Sequence, residues 1–398
     1  GDVETVEFHR NRGFGITLYV GQRKGTASTS AQGEAAIRET VAAALAIARH
    51  TSEDDCAGLA DAQLMASELP DLDLWHPWDI HPEEAITKAL RCEEAAFAFD
   101  PRITRADGTS LMTAMGCRVY GNSHGFIGGY ASTRHSLSCV MIAEGENQMQ
   151  RDYWYDTQRI GTALASDQSI GRLAAERAVR RLGARPVPTC EVPVLLAAEV
   201  AGGLFGALMN AISGGNLYRK SSFLEGALGE QLFPEWLTLD ERPYLPRALG
   251  SASFDSDGLA TRAQPFIEKG RLVSYALSTY SGRKLKLPST ANAGGVHNLF
   301  VSHGTDDMTA LIRGMGRGLL VTELMGSGVN MVTGDYSRGA AGFWIESGEI
   351  AFPVQEVTIA GNLRDMFRDI VAIGSDVEMR GNTRTGSVLI SKMTVGGS

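Results

Sequence analysis

The sequence predicts an α+β protein of two domains with largely antiparallel β-sheets and packed helices, and three observations carry that expectation. Strand-like and helix-like stretches arrive in blocks instead of regular β-α-β alternation. Glycine accounts for 46 of 398 residues, which implies many tight turns. Near the middle, Ala184-Arg185-Pro186-Val187-Pro188 interrupts a helical pattern. That break divides an N-terminal α+β domain (1–183) from a β-rich C-terminal domain (192–398), with 184–191 as the linker.

From the start, Thr5-Val6-Glu7-Phe8 and Gly15-Ile16-Thr17-Leu18-Tyr19-Val20 alternate as in a β-meander, with Gly13 and Gly21 at turns. The first element begins abruptly, so a native N-terminal segment is expected ahead of it. A helix from about Glu34 to His50 presents Ile37, Val41, Ala44, Leu45 and Ala48 on one face, and another starts at Pro82, a favourable first helical position. Residues 102–156 read as strands punctuated by Asp107-Gly108, by Gly121-Asn122-Ser123-His124-Gly125 and by Glu144-Gly145-Glu146-Asn147. A helix capped at Ser166 or Asp167 then runs to Leu182.

In the second half, Val192–Leu196 reads as a strand feeding a helix over residues 198–212. Hairpins are expected at 266–273 and 343–350. A late helix capped by Asn362 would align Leu363, Met366, Phe367, Ile370 and Val371.

Composition narrows the function. Against 37 basic residues stand 46 acidic ones, net −9, with no basic stripe to track phosphates, so neither nucleic acid nor a charged membrane surface is an expected partner. The apolar stretch Val192–Ile212 is long enough for a membrane span but contains Glu199. Cys56, Cys92, Cys117, Cys139 and Cys190 are odd in number and scattered, which suits reduced, buried thiols in the cytoplasm.

Few motifs carry chemistry. Gly121–Gly125 matches G-x-S-x-G, yet a strand-like stretch follows it where a nucleophile elbow needs a helix, so a hairpin turn is expected. Ser123, His124 and His135 form the one local cluster from which a self-sufficient hydrolase would be built. Gly214–Ser222 is reminiscent of a phosphate loop but places Arg219 where backbone amides need a glycine. Tyr218, Arg219, Lys220 and Ser221 read equally as a functional loop or an exposed structural one. Asp255-Ser256-Asp257-Gly258 reads as a solvated turn.

Five stretches together carry a resemblance. Val194–Gly206, Tyr218–Ser222, Val321–Gly326, Thr333–Trp344 and Ile359–Leu363 resemble the TldD/PmbA metallopeptidase family, in its PmbA (TldE) branch, and the likeness spans nearly the whole chain. It implies a cytoplasmic heteromeric zinc metallopeptidase of a TldD-type and a PmbA-type subunit. Such an enzyme acts on small or unfolded peptides, in peptide-antibiotic maturation and antitoxin turnover. Substrate or interface residues are then expected at Tyr218, Arg219, Lys220 and Ser221, and at Asp335, Tyr336 and Arg338.

The family's zinc motif is His-Glu-x-x-x-His, with a further cysteine ligand near the C-terminus. Here it falls on Ala198, Glu199 and Gly203, and no cysteine follows Cys190. With three ligands absent, the resemblance implies no zinc in this chain, a zinc in the TldD-type partner, and no catalytic residue here. The helix reads instead as a packing element with a small ridge of Ala198, Gly202 and Gly206, and Glu199 favoured by the helix dipole. Peptides are expected to lie extended along a sheet edge of the C-terminal domain. A homodimer in isolation and a non-proteolytic binding scaffold stay open as further readings.

Overall fold

The computed structural model describes residues 2–146 and 148–397, and its α+β architecture of mainly antiparallel sheets agrees with the sequence expectation. β1 (Phe14–Val20) and β2 (Arg23–Thr29) form a hairpin turned at Gly21, and α1 (Glu34–His50) lies across it. This close approach requires Gly25, because a Cβ there would lie 2.0 Å from the Ala44 carbonyl oxygen. The strand expected at Thr5–Phe8 is absent: residues 2–13 are irregular, and Phe8 is 89% exposed. Alternation cannot hold a strand that has no neighbour to pair with.

After an extended crossing, the chain forms α2 (Pro82–Phe97), β3 (Ile103–Gly121), β4 (Ile127–Glu144), β5 (Met149–Gln158) and α3 (Asp167–Arg180). The three strands make an antiparallel meander. α2 and α3 pack against it, burying Cys92, Ala96, Leu137, Cys139, Met141, Ile170 and Ala174 in one cluster. Ser166 caps α3 by accepting from Ser169 N.

Gly121–Gly125 is the expected hairpin turn, and Glu144–Glu146 lead out of β4, Asn147 lying outside the described residues. Asp107-Gly108 is not a turn. It forms a bulge inside β3, where Gly108 takes φ 117° and the register against β4 shifts, so the extra residue is absorbed without reversing the chain. The expectation of five buried cysteines is also corrected, since Cys117 is exposed on β3.

Beyond residue 189 come β6 (Cys190–Leu196), α4 (Ala198–Ala211), α5 (Gly214–Tyr218), β7 (Leu239–Glu241), β8 (Gln264–Glu268), β9 (Arg271–Leu272), α6 (Thr279–Leu285), β10 (Leu299–Val301), α7 (Met308–Met315) and β11 (Gly318–Met325). β12 (Asp335–Glu346), β13 (Glu349–Asn362), α8 (Leu363–Arg368), β14 (Ile370–Ile373), β15 (Thr383–Arg384) and β16 (Val388–Gly396) complete the chain. Both expected hairpins form, each turned by a residue pair at positive φ, Lys269-Gly270 and Ser347-Gly348.

The late helix stops at Arg368, and Ile370 enters β14, paired with Ile390, while Val371 is 51% exposed. Cross-strand pairing overrides the helical period there. The segment expected as a linker is also fixed in place: Arg185 N donates to Pro353 O, Val187 is buried, and Cys190 and Glu191 already belong to β6.

β6, β11, β12, β13 and β16 are joined in a ring, because β13 pairs with β16 as well as with β12. β6 alternates between two cores. Val192, Val194 and Leu196 join the cluster that contains α4 and α8, while Leu195 joins Leu311 and Ile312 of α7 on the other face. Ring closure removes the edges of those five strands, while β14 and, in the five-stranded sheet, β15 and β9 remain edge strands of the C-terminal half. The long one-sided strand is β3, outside the C-terminal half, with 19 residues paired only to β4.

Two arginines of α3 bind the middle of the chain to this ring. Arg177 donates to both carboxylate oxygens of Glu199 (3.1 and 2.7 Å) and to Asp152 (3.2 Å), and its guanidinium lies 5.1 Å from the Trp154 ring centre. Burial works against its charge, but the Glu199 and Asp152 carboxylates outweigh that and raise its pKa. Arg181 pairs with Asp152 and with Glu323 of β11. Arg380 stacks on Trp154 at 3.9 Å. Replacing Arg177 by methionine strands the Glu199 carboxylate and leaves Asp152 with Arg181 alone, so the free energy of unfolding should fall by about 2–3 kcal/mol, and Arg177→Lys should recover only part because lysine cannot pair bidentately. Equilibrium denaturation checks this; an unchanged midpoint in Arg177→Met would show that the clasp contributes nothing.

Candidate functional site

α4 carries the positions that the sequence resemblance assigns to a metal. Ala197 at its N-cap offers no side-chain cap, and Ser387 Oγ accepts from Ala198 N at 3.1 Å instead. Ala201, Leu204, Phe205, Leu208 and Met209 form the buried face. Of the expected ridge of Ala198, Gly202 and Gly206, Gly202 is half-buried and a Cβ there would lie 3.8 Å from Thr383 Cβ, whereas Gly206 is exposed with nothing within 4 Å of a Cβ. Gly203, outside that ridge, is exposed and open in the same way.

Glu199 is likewise more than a carboxylate near a helix start. Its two oxygens are both engaged by Arg177, so it is a structural anion. Ala198 and Gly203 supply no donor atom, and among the described residues no three His, Cys, Asp or Glu side chains gather as a metal-holding group. These residues do not fit a zinc ion, which requires three or four N, S or O ligands.

Ser123, His124 and His135 are not brought together. Ser123 and His124 sit exposed in the β3–β4 turn, whereas His135 is fully buried eight residues beyond Ile127, about 26 Å along the strand at ~3.3 Å per residue. His135 Nε2 lies 3.0 Å from His76 O. Without a nucleophile within reach of a base, a hydrolase built on this cluster is excluded.

The other two groups are linked only through their neighbours: Phe223, next to the Tyr218–Ser221 stretch, donates from its N to Met331 O, and its carbonyl accepts from Arg364 on α8. Asp335 accepts from Thr333 Oγ1 (2.6 Å) and from Asn362 Nδ2 (3.3 Å), which fixes the start of β12 against the N-cap of α8. Tyr336 is buried, and burial raises its pKa against the lowering effect of Arg338. Arg338 Nε is buried without a hydrogen-bond partner among the described residues. Asp335 and Tyr336 therefore act mainly in shaping the loop.

Tyr218–Ser221 lies past the C-terminal end of α4, and from Glu199 to Ala211, the last residue of that helix, the rise is about 18 Å. Two candidate regions thus sit at opposite ends of one helix. Ser221 N and Oγ both contact Asn216 O, and Lys220 adopts φ 56°. Arg219 donates to Tyr218 Oη (3.1 Å) and Asn216 Oδ1 (3.3 Å).

A buried polar cluster lies nearby that no local pattern announces. Glu241, 1% exposed, accepts from Asn292 Nδ2, Gln264 Nε2 and His297 N, with His297 Nδ1 at 2.9 Å. Glu241 and His297 are 56 residues apart, so only folding reveals the pair. Asp255, expected in a solvated turn, is also 1% exposed. Burial raises its pKa, while backbone N–H groups of Ala293, Leu259 and Asp257 satisfy its carboxylate. The turn has become an anchor for the Asn292 loop.

Comparison with known proteins gives a consistent assignment. Family models described as domain 1, the central domain and the C-terminal domain of PmbA/TldA metallopeptidases match residues 1–48, 75–182 and 189–397. The chain is 50% identical to the metalloprotease PmbA of Escherichia coli O157:H7, covering 100% of this chain and 88% of that protein. It is 48% identical to a PmbA homolog of Haemophilus influenzae, with the same coverage. Among solved structures, a candidate modulator of DNA gyrase from Bacteroides thetaiotaomicron superposes with a TM-score of 0.92 at 30% identity, over 97% of this chain and 88% of that one. TldE of Thermococcus kodakarensis shares the fold, at a TM-score of 0.81 and 21% identity over 94% of this chain and 88% of that one. With half of its residues identical to a PmbA over the full length and all three family models matched in order, this chain belongs to the TldD/PmbA metallopeptidase family, in its PmbA branch.

Proposed function

We propose that this chain is the non-catalytic, PmbA/TldE-type subunit of a cytoplasmic heteromeric metallopeptidase, in which a TldD-type partner holds the zinc and the two together process small or unfolded peptides. The observation that carries this reading is the state of α4. At the place of the family motif, two positions have no donor atom, and the surviving carboxylate is held by both nitrogens of an arginine. A carboxylate so paired is a poor general base, because its lone pairs point into charge-assisted hydrogen bonds. The chain's contribution is then surface and shape: it completes a peptide chamber whose chemistry is supplied by the partner.

The purified chain alone should carry no stoichiometric zinc and show no chelator-sensitive peptidase activity. Mixed with a TldD-type subunit, it should form a stable complex that cleaves unstructured peptides, with activity lost on chelation and restored by zinc. Elemental analysis, size-exclusion chromatography and a peptidase assay of each component check this. One zinc per isolated chain with activity of its own would overturn the assignment, and complex formation without any gain in cleavage would favour a binding scaffold.

Restoring the two histidines tests the same helix. Gly203 faces open space, so Ala198→His with Gly203→His should leave the fold intact, with a free energy of unfolding within about 1 kcal/mol of the parent. Side chains five apart on a straight helix diverge by about 140°, and no thiolate completes the set, so zinc titration should show no tight site. Tight zinc binding accompanied by peptide cleavage would show that only the histidines had been lost.

A further inference from the structure

A cleft of about 350 Å³ opens beyond the C-terminal end of α4, lined among others by Asn210, Ser213, Gly215, Ser278, Asn292 and Val296. Its floor is rigid, because Asn292 is held by Glu241 and by Thr290 Oγ1. Arg219 packs on Gly215, one of the lining residues: its guanidinium nitrogens lie 3.3 and 3.6 Å from where a Gly215 Cβ would be.

Arg219 differs from Arg177, Arg181 and Arg364 in lacking a carboxylate partner. Its two hydrogen bonds go to neutral acceptors, Tyr218 Oη and Asn216 Oδ1, and its guanidinium lies 5.3 Å from the Tyr218 ring centre. Among the described residues no carboxylate forms an ion pair with it. Asn216 is fixed in turn by donating to Asn210 O and Oδ1, and Tyr218 packs edge-on against Tyr280. A guanidinium oriented by neutral groups and left uncompensated is prepared for an external anion.

The surroundings strengthen that bias. In a chain of net charge −9, Lys220, Arg283, Lys284 and Lys286 cluster on or beside α5 and α6, which pack together. Lys284 pairs with Asp54 at 2.8 Å and Arg283 with Asp61 at 3.6 Å, while Lys220 and Lys286 form no ion pair among the described residues. Uncompensated positive charge beside a cleft draws anions to it. The cleft wall is otherwise hydroxyl, amide and small apolar surface, suited to a few residues of peptide main chain, so the anion that fits is a carboxylate at the end of a peptide.

We propose that this cleft receives the C-terminal carboxylate of a peptide, with Arg219 as the cation that binds it. The inference rests on the peptide-handling role given above and adds to it a direction: the substrate's C-terminus lies at the α5 end of α4, about 18 Å of helix away from Glu199. Free peptides are then selected over internal segments of folded proteins, which offer no terminal carboxylate.

The test uses the full chain and a fluorophore-labelled hexapeptide of glycine and alanine, followed by fluorescence anisotropy. Three forms are compared: the free acid, the C-terminal amide, and an amide carrying one internal glutamate. The free acid should bind about tenfold more tightly than either amide, with the difference shrinking as salt is added. Arg219→Ala should abolish the preference, and Gly215→Leu, which fills the mouth of the cleft, should weaken all three. Equal binding of acid and amide, a preference that survives in Arg219→Ala, equal binding of the internal glutamate, or no binding at millimolar protein would each overturn the proposal. Complex formation with the TldD-type subunit is read separately, so failure of the carboxylate preference in a chain that still yields an active complex overturns the cleft alone.

Discussion

The pairing of Arg177 with Glu199 is the constraint around which the molecule is arranged. Arg177 stands on α3, whose apolar face is committed to the three-stranded meander, and Glu199 stands at the start of α4, whose apolar face is committed to the ring of strands. Neither helix can turn to meet the other without exposing its own core. The guanidinium therefore spans the two bodies, and Asp152, Trp154, Arg181 and Arg380 consolidate the join. An ion pair of this kind is costly to bury and more costly to break, which makes it a device for fixing orientation.

The same pairing decides the chemistry of α4. A free carboxylate at residue 199, beside an exposed helix face, would retain the capacity to act as a base. Tied to Arg177, it serves the join between the two bodies. The open glycine face alongside it, at Gly203 and Gly206, offers neither ligands nor packing, and its smoothness suits a helix that borders a space to be filled by something else. The absence of donor atoms at Ala198 and Gly203 and the pairing of Glu199 with Arg177 thus fall on one helix.

Glycine works in two opposite ways in this fold. At Gly25 and Gly171 it brings elements into contact, since a Cβ at Gly171 would lie 1.9 Å from the Cys92 carbonyl oxygen. At Gly203 and Gly206 it preserves room on one side of α4. Composition announces turns and glycines without distinguishing these uses. The expected ridge along α4 is met by a neighbour at Gly202 and open at Gly206, because spacing of four shows which residues share a face but not what approaches that face.

By itself, the sequence determined the α+β class, the helices at 34–50 and 82–97, the meander from β3 to β5, the strand leading into α4, and both positive-φ hairpins in the second half. It also determined that Ala198 and Gly203 cannot ligate a metal. These properties are local, carried by apolar period, by turn residues and by the presence or absence of donor atoms, and they survive in any tertiary context. Tertiary structure decided the rest. It ended the late helix at Arg368 by pairing Ile370 with Ile390, buried Asp255 among backbone amides, closed the sheet through β13 and β16, joined Glu241 to His297, and gave Glu199 its arginine. Each of those outcomes depends on groups far apart in the chain meeting in a low-dielectric interior, where an unpaired polar group is expensive, and no reading of neighbouring residues contains that information.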